Sequence, residues 1–159
     1  MAYIKIFPIK EDTHLQTAFD YIENLYKTNN GVLVSAFMCR PDNAVKDFKM
    51  NYDLALKRGN NLAHHIIQSF APDDKVTPEK AMQIGKELMK RMYPNYQYVI
   101  AVHKDCEHIH SHIILNAVDF VNHKKLHSNK YTLREMRNIS DDLCRENGLF
   151  VITEKFQSH

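Results

Sequence analysis

The stretch from Tyr98 to Asp119 limits the architecture most. Two apolar, β-rich runs flank the segment His103-Lys104-Asp105-Cys106-Glu107-His108-Ile109-His110-Ser111-His112, so that four histidines fall within ten residues. In a strand, successive side chains point to opposite faces. That alternation puts His108, His110, His112, Ile114 and Asn116 on one face and Ile109, Ile113, Leu115 and Ala117 on the other. Two strands joined by a short connection form an antiparallel hairpin. A four-residue loop over Lys104 to Glu107 pairs His103 with His108, and directly opposed residues point to the same side. His103 therefore joins the imidazole face, and the chain is expected to fold around a sheet with one apolar face and one histidine-bearing face.

The rest of the pattern supplies partners for that hairpin. Tyr3 to Phe7 reads as a strand ending at Pro8, and Thr13-His14-Leu15-Gln16 has the form of a capping box. Behind it, Leu15, Ala18, Ile22, Leu25 and Tyr26 form a helical stripe. After Asn29-Asn30-Gly31, Val32 to Met38 is β-rich. A helix over Asn43 to Lys57 would bury Val45, Phe48, Tyr52 and Ala55 before Gly59-Asn60-Asn61 breaks it, and His64 to Phe70 is a third strand. Thr77-Pro78 opens a helix through Ala81, Ile84, Leu88 and Met92 to Pro94. Thr132-x-x-Glu135 reads as a further capping box, Asn147-Gly148 as a helix stop and Phe150 to Thr153 as a closing strand. Five strands, apart from that short closing run, and four helices with a tight hairpin predict an α/β (α+β) layered fold with a largely antiparallel sheet.

At 159 residues the chain is expected to be a single domain, 1–159, large enough for a real core. No apolar run is long enough to span a bilayer, and the start Met1-Ala2-Tyr3-Ile4-Lys5 lacks the apolar core of a signal peptide. The expectation is a cytoplasmic protein without membrane insertion. Three cysteines without a C-x-x-C pair argue for reduced thiols. A net charge of +2 neither demands nor excludes nucleic acid. The local cluster Lys124, Lys125, Lys130, Arg134 and Arg137, with His123 and His127, is a candidate basic surface.

Three imidazoles on an open face, with no fourth ligand forced by spacing, describe a metal site that keeps coordination positions for substrate. The alternative is a row of solvated strand residues. Spacing alone does not select which three histidines bind.

The pattern His103-x-Asp105-x-x-His108-x-His110-x-His112-x-x-x-Asn116 closely resembles the third motif of conjugative relaxases, the HUH-type mobilization endonucleases of the MOB-P class. Matched position by position, the resemblance implies metal ligands at His103, His110 and His112. His108 is an extra residue that would contact DNA or a neighbouring ligand. Asp105 matches an acidic position that would orient a ligand histidine. Asn116 matches the asparagine that follows the His-x-His pair. The segment His65-Ile66-Ile67-Gln68-Ser69-Phe70, with Pro72 and Thr77-Pro78, resembles the region between the first and third motifs, and Asp20-Tyr21-Ile22 resembles the first. The resemblance covers nearly the whole chain, and it implies the N-terminal nuclease domain of a longer protein. The implied fold is HUH-endonuclease-like, a five-stranded antiparallel sheet with helices packed on one face.

The implied chemistry is site- and strand-specific nicking and rejoining of DNA at a transfer origin through a 5′-phosphotyrosyl intermediate. Among eight tyrosines, helical geometry puts Tyr26 in the apolar stripe and Tyr21 on its flank. The first-motif match also selects Tyr21, with His14 on the same flank as the alternative nucleophile. Mg²⁺ or Mn²⁺ is the ion implied by resemblance, whereas histidine-rich ligation alone favours zinc-like ions. Implied partners are single-stranded or hairpin origin DNA, contacted by His65, Lys124, Lys125 and Arg134, and accessory relaxosome proteins. A rolling-circle replication initiator and a non-catalytic metal-binding DNA module are the rival readings.

Overall fold

A computed structural model describes residues 2–24, 28, 33–56, 59–72, 74–104 and 108–149. In chain order the elements are β1 (Ala2–Ile9), α1 (Asp12–Ile22), β2 (Val34–Phe37), a 3₁₀ turn (Pro41–Asn43), α2 (Ala44–Tyr52), β3 (Ala63–Phe70), α3 (Pro78–Met92), β4 (Tyr98–His103), β5 (Ile109–Asn116) and α4 (Lys130–Glu146). The five strands form one sheet in the order β1-β3-β5-β4-β2. Every neighbouring pair is antiparallel. The histidine-bearing β5 is thus the central strand, and β1 and β2 are the edges.

The two faces bury different cores. On one, Ile66, Ile100, Val102, Ile113 and Leu115 pack under α3 and α4, with Ile84, Leu88, Met136 and Leu143 supplying the helical side. Gly85 lets α3 lie close: a Cβ there would stand 2.4 Å from Ile100 Cδ1. On the other face Ala63, Val99, Ala101 and Ile114 pack under Leu15, Phe19 and Ile22 of α1 and Ala44 and Phe48 of α2. Phe19 and Phe48 meet edge-on, with ring centroids 5.2 Å apart. The one-sided arrangement expected from sequence therefore holds for the two long helices. The shorter α1 and α2 take the opposite face because Val99, Ala101 and Ile114 alternate with core residues and are themselves apolar, so that part of the histidine face also needs cover.

Local boundaries differ from the sequence expectations where two signals compete. Strand β5 begins at Ile109, and His103 pairs with His110 rather than His108. Six residues separate that pair, two more than in a four-residue loop. The shift is even, so His103 stays on the histidine face. Helix α1 starts at Asp12 behind an uncapped Glu11 instead of at a Thr13 cap, and its buried residues are Leu15, Phe19 and Ile22. Helix α2 ends at Tyr52 and buries Ala44, Phe48 and Asn51. The box opening α4 is Asn129 with Thr132, because the Asn129 side chain reaches two backbone amides. Helix α3 runs from its Thr77 cap to Met92 as read from the sequence. Leu25, Tyr26 and the expected strand from Phe150 to Thr153 lie outside the described residues.

Candidate active site

Register assembles the site from three strands. His103 on β4, His110 and His112 on β5, and His65 and Ser69 on β3 share one face, since Ser69 pairs with His110 and His110 with His103. The ring centroids of His103 and His112 are 4.2 Å apart, those of His65 and His112 5.2 Å, and those of His110 and His112 6.3 Å. His108 is exposed and lies just before the strand, 5.9 Å from His110 by ring centroid.

Each imidazole is oriented by a specific partner. His103 is buried, and its Nε2 donates to the Ile22 carbonyl at 3.0 Å, because a carbonyl can only accept. His112 Nδ1 lies 2.9 Å from His65 Nε2, and His110 Nδ1 lies 2.9 Å from Ser69 Oγ. Burial, reinforced by the neighbouring charge of His103, pushes His65 down to about 4. His65 is therefore a neutral hydrogen-bonding partner at neutral pH. The orienting roles of Ser69 and the Ile22 carbonyl were missed from sequence. Ser69 could have been found, since it alternates with His65 on a strand that pairs with β5; a backbone carbonyl leaves no such trace.

Tyr21 completes the constellation. It lies on the last turn of α1, remains 47% exposed, and presents its ring edge-on to His103 at 5.5 Å and to His112 at 5.7 Å. The burial of its neighbour Ile22 fixes this position: one residue of helix turns the chain by about 100°, so anchoring Ile22 in the core sets Tyr21 on the rim beside the imidazoles. His14 sits two helical turns earlier, exposed, with Nε2 3.6 Å from Glu11.

Other residues singled out from sequence are placed elsewhere. Asn116 is fully buried at the far end of β5, where Nδ2 donates to the Phe48 carbonyl and to Gln97 Oε1, and Oδ1 accepts from the Val118 amide. His64 points into the opposite core, buried. Lys125 pairs with Val118, beyond that same end of the sheet, and Lys124 adjoins it. Arg134 is exposed on α4, whose core lies on the other face. Asp105 and Cys106 lie outside the described residues. Among the described residues no three His, Cys, Asp or Glu side chains stand in a metal-holding arrangement, and no helix is long and apolar enough to cross a membrane.

Comparison with known proteins identifies the family. Residues 21–149 match the family model of the MobA/VirD2-like relaxase nuclease domain. An Rlx protein of Staphylococcus aureus is 37% identical over 121 residues, which are 76% of this chain and 36% of that protein. The group II intron-interrupted relaxase LtrB of Lactococcus lactis subsp. cremoris is 33% identical over 140 residues, 72% of this chain and 25% of that protein. The chain thus spans between a quarter and about two-fifths of the length of the curated relatives it matches. In fold it resembles a structure described under the molecular basis of vancomycin resistance transfer in Staphylococcus aureus, with a TM-score of 0.61, 14% identity, and 95% and 96% of the two chains covered. It also resembles the conjugative relaxase TrwC in a copper-bound complex with oriT DNA, with a TM-score of 0.58, 7% identity, and 92% and 68% covered. At those identities the two structures speak for the fold, and the sequence matches speak for the family: the chain belongs to the MobA/VirD2-like relaxases, in the region of their nuclease domain.

Proposed function

We propose that this domain nicks and rejoins one DNA strand at a transfer origin to initiate conjugative transfer, with Tyr21 as the nucleophile. The observation that carries the reading is the half-exposed Tyr21 ring standing against His103 and His112 on the open part of the sheet. The Tyr21 phenolic oxygen attacks the scissile phosphorus and the bond to the 3′ oxygen breaks. The DNA is left with a 5′-phosphotyrosyl link and a free 3′-OH, which takes up the proton that the phenol gives up. Rejoining is the reverse, so no energy source is needed.

His103, His110 and His112 are the proposed holders of a divalent ion on the chemistry of three imidazoles sharing one face, although their side chains do not stand in a metal-holding arrangement in this structure. His110 and His112 use Nδ1 for hydrogen bonds to Ser69 and His65, as ligand imidazoles do with the nitrogen that does not coordinate. An ion there, Mg²⁺ or Mn²⁺ by family resemblance or a zinc-like ion by ligand softness, would offset charge developing on the non-bridging phosphate oxygens. Asp105 is proposed to orient a ligand histidine. His108, being exposed beside His110, is proposed to contact the DNA. Single-stranded or hairpin origin DNA and accessory relaxosome proteins are the proposed partners, in the cytoplasm, with 1–159 acting as the N-terminal domain of a longer protein.

The test is incubation with single-stranded oligonucleotides scanning a candidate origin, resolved on a denaturing protein gel. A metal-dependent shift is expected for the wild type and none for Tyr21→Phe, which deletes one oxygen and keeps the ring. An acid-labile adduct in Tyr21→Phe would transfer the role to a histidine such as His14. DNA binding with no adduct on any strand would leave a non-catalytic module, and adducts only at a replication origin would indicate a rolling-circle initiator.

A further inference from the structure

We infer that the edge strand β1 is a base-stacking platform for the single-stranded DNA flank leading to the histidine site. The inference rests on the strand-nicking reading above and adds where the substrate lies. Register places Tyr3 opposite Ser69, Ser69 opposite His110 and His110 opposite His103, so these four residues form one row across the histidine face. Lys5 and Phe7 follow Tyr3 on the same side at alternate positions. This half of the face is the part that α1 and α2 leave uncovered: Tyr3 is 53% exposed and Phe7 48%. Two large aromatic rings kept in solvent on one sheet face are costly unless something covers them.

Charge selects the occupant. The Lys5 ammonium sits 5.8 Å from the Tyr3 ring centroid, and the Arg137 guanidinium 5.7 Å from the same ring. Arg137 reaches there from α4 by donating to the Ile4 carbonyl at 3.1 Å, wrapping the sheet edge. Neither β1 nor its neighbour β3 contains a carboxylate. Aromatic faces interleaved with cations are the recognition chemistry of single-stranded nucleic acid, in which bases stack and phosphates meet the charges. With strands about 4.8 Å apart, Tyr3 lies roughly 10 Å from His110. A base stacked on Tyr3 then lies within about three nucleotides of the phosphate at the histidines.

The experiment measures anisotropy of a fluorescein-labelled, randomised single-stranded oligonucleotide with the wild type, Tyr3→Ala, Tyr3→Phe, Phe7→Ala and Lys5→Ala, alongside bromodeoxyuridine photocrosslinking mapped by mass spectrometry. Tyr3→Ala is expected to weaken binding roughly 5- to 150-fold, while Tyr3→Phe, which keeps the stacking face, binds like the wild type. Lys5→Ala should lower the slope of log affinity against log salt by about 0.7, and crosslinks should fall on residues 2–9. All these side chains are exposed, and matched thermal unfolding of the variants checks the fold. Wild-type DNA binding that Tyr3→Ala and Phe7→Ala leave unchanged, or crosslinks confined to other segments, would overturn the platform and leave the nicking reading standing. A wild type that neither binds single strands nor forms the Tyr21 adduct would overturn both.

Discussion

Replacing Asn116 by alanine separates two roles that sequence alone merges. The motif resemblance makes Asn116 a companion of the histidines, but it stands four residues beyond His112, about 13 Å along the strand, and it is completely buried. Its side chain ties three segments together through bonds of 3.2 Å to the Phe48 carbonyl, 2.8 Å to Gln97 Oε1 and 3.3 Å from the Val118 amide. Gln97 is itself bound to the Met38 carbonyl, and Asn51 reaches both Gln97 and the Val118 carbonyl. Alanine removes three bonds worth about 0.5–1.5 kcal/mol each and strands buried partners, a loss on the order of 2–4 kcal/mol. For a domain of this size that lowers Tm by about 5 to 15 °C. The assay is urea and thermal unfolding beside adduct formation measured well below the transition. The expected result is a destabilised protein whose folded fraction still forms the adduct. Stability within about 0.5 kcal/mol of wild type together with lost cleavage would refute the structural role and return Asn116 to the site.

Glu23, half-buried at the end of α1, is pushed up to about 7 by burial first and then by Asp20 and Asp42. An unfolded glutamate titrates near 4.3, so between roughly pH 4.5 and 7 the folded state binds more protons and stability falls as pH rises, by about 1–2 kcal/mol after discounting for exposure. Glu23→Gln should flatten that segment and be more stable than wild type at pH 8, and parallel pH profiles of the urea midpoint would contradict this. The pair Lys124→Glu and Lys125→Glu should scarcely change the salt slope for short single strands, because Val118, which Lys125 pairs, follows Asn116, the end of β5 about 20 Å along the strand from His110. A fall in slope of about 0.7 per lysine would bring the DNA to that end instead.

What the sequence reveals about this molecule follows from which interactions are local. Alternation in β5 is a property of a single strand, so the shared face of His110 and His112 is legible without tertiary information, and His103 joins it through the parity of the hairpin pairing. The helical stripe and cap of α3 are legible for the same reason. The hairpin register is less so, because a two-residue shift leaves the same side chains on the same faces and the same apolar residues buried. The covering of half the histidine face by α1 and α2 depends on Phe19 meeting Phe48 and on the apolar character of Val99 and Ala101, contacts that join distant parts of the chain. The basic cluster around Lys124 is continuous in sequence but spread over different elements: Lys124 and Lys125 follow β5, and Lys130, Arg134 and Arg137 lie along α4. Arg137, one member among several in that run, is the residue that turns round the edge to Tyr3.

The partial cover of the histidine face is itself a mechanical arrangement. A sheet buried on both sides would have no room for a substrate, and a sheet bare on one side would leave Val99, Ala101 and Ile114 in water. Helix α1 meets both demands. Leu15, Phe19 and Ile22 anchor it over the apolar half, and its last turn stops at the boundary with the polar half. The Ile22 carbonyl, in the last turn of α1, accepts from buried His103, as the last carbonyls of a helix need partners. The same turn holds Tyr21 at the rim against His103 and His112. One helix end therefore gives its Ile22 carbonyl to a buried imidazole and positions the Tyr21 phenol beside it, so the burial that stabilises the core also sets the geometry of the groups proposed to react.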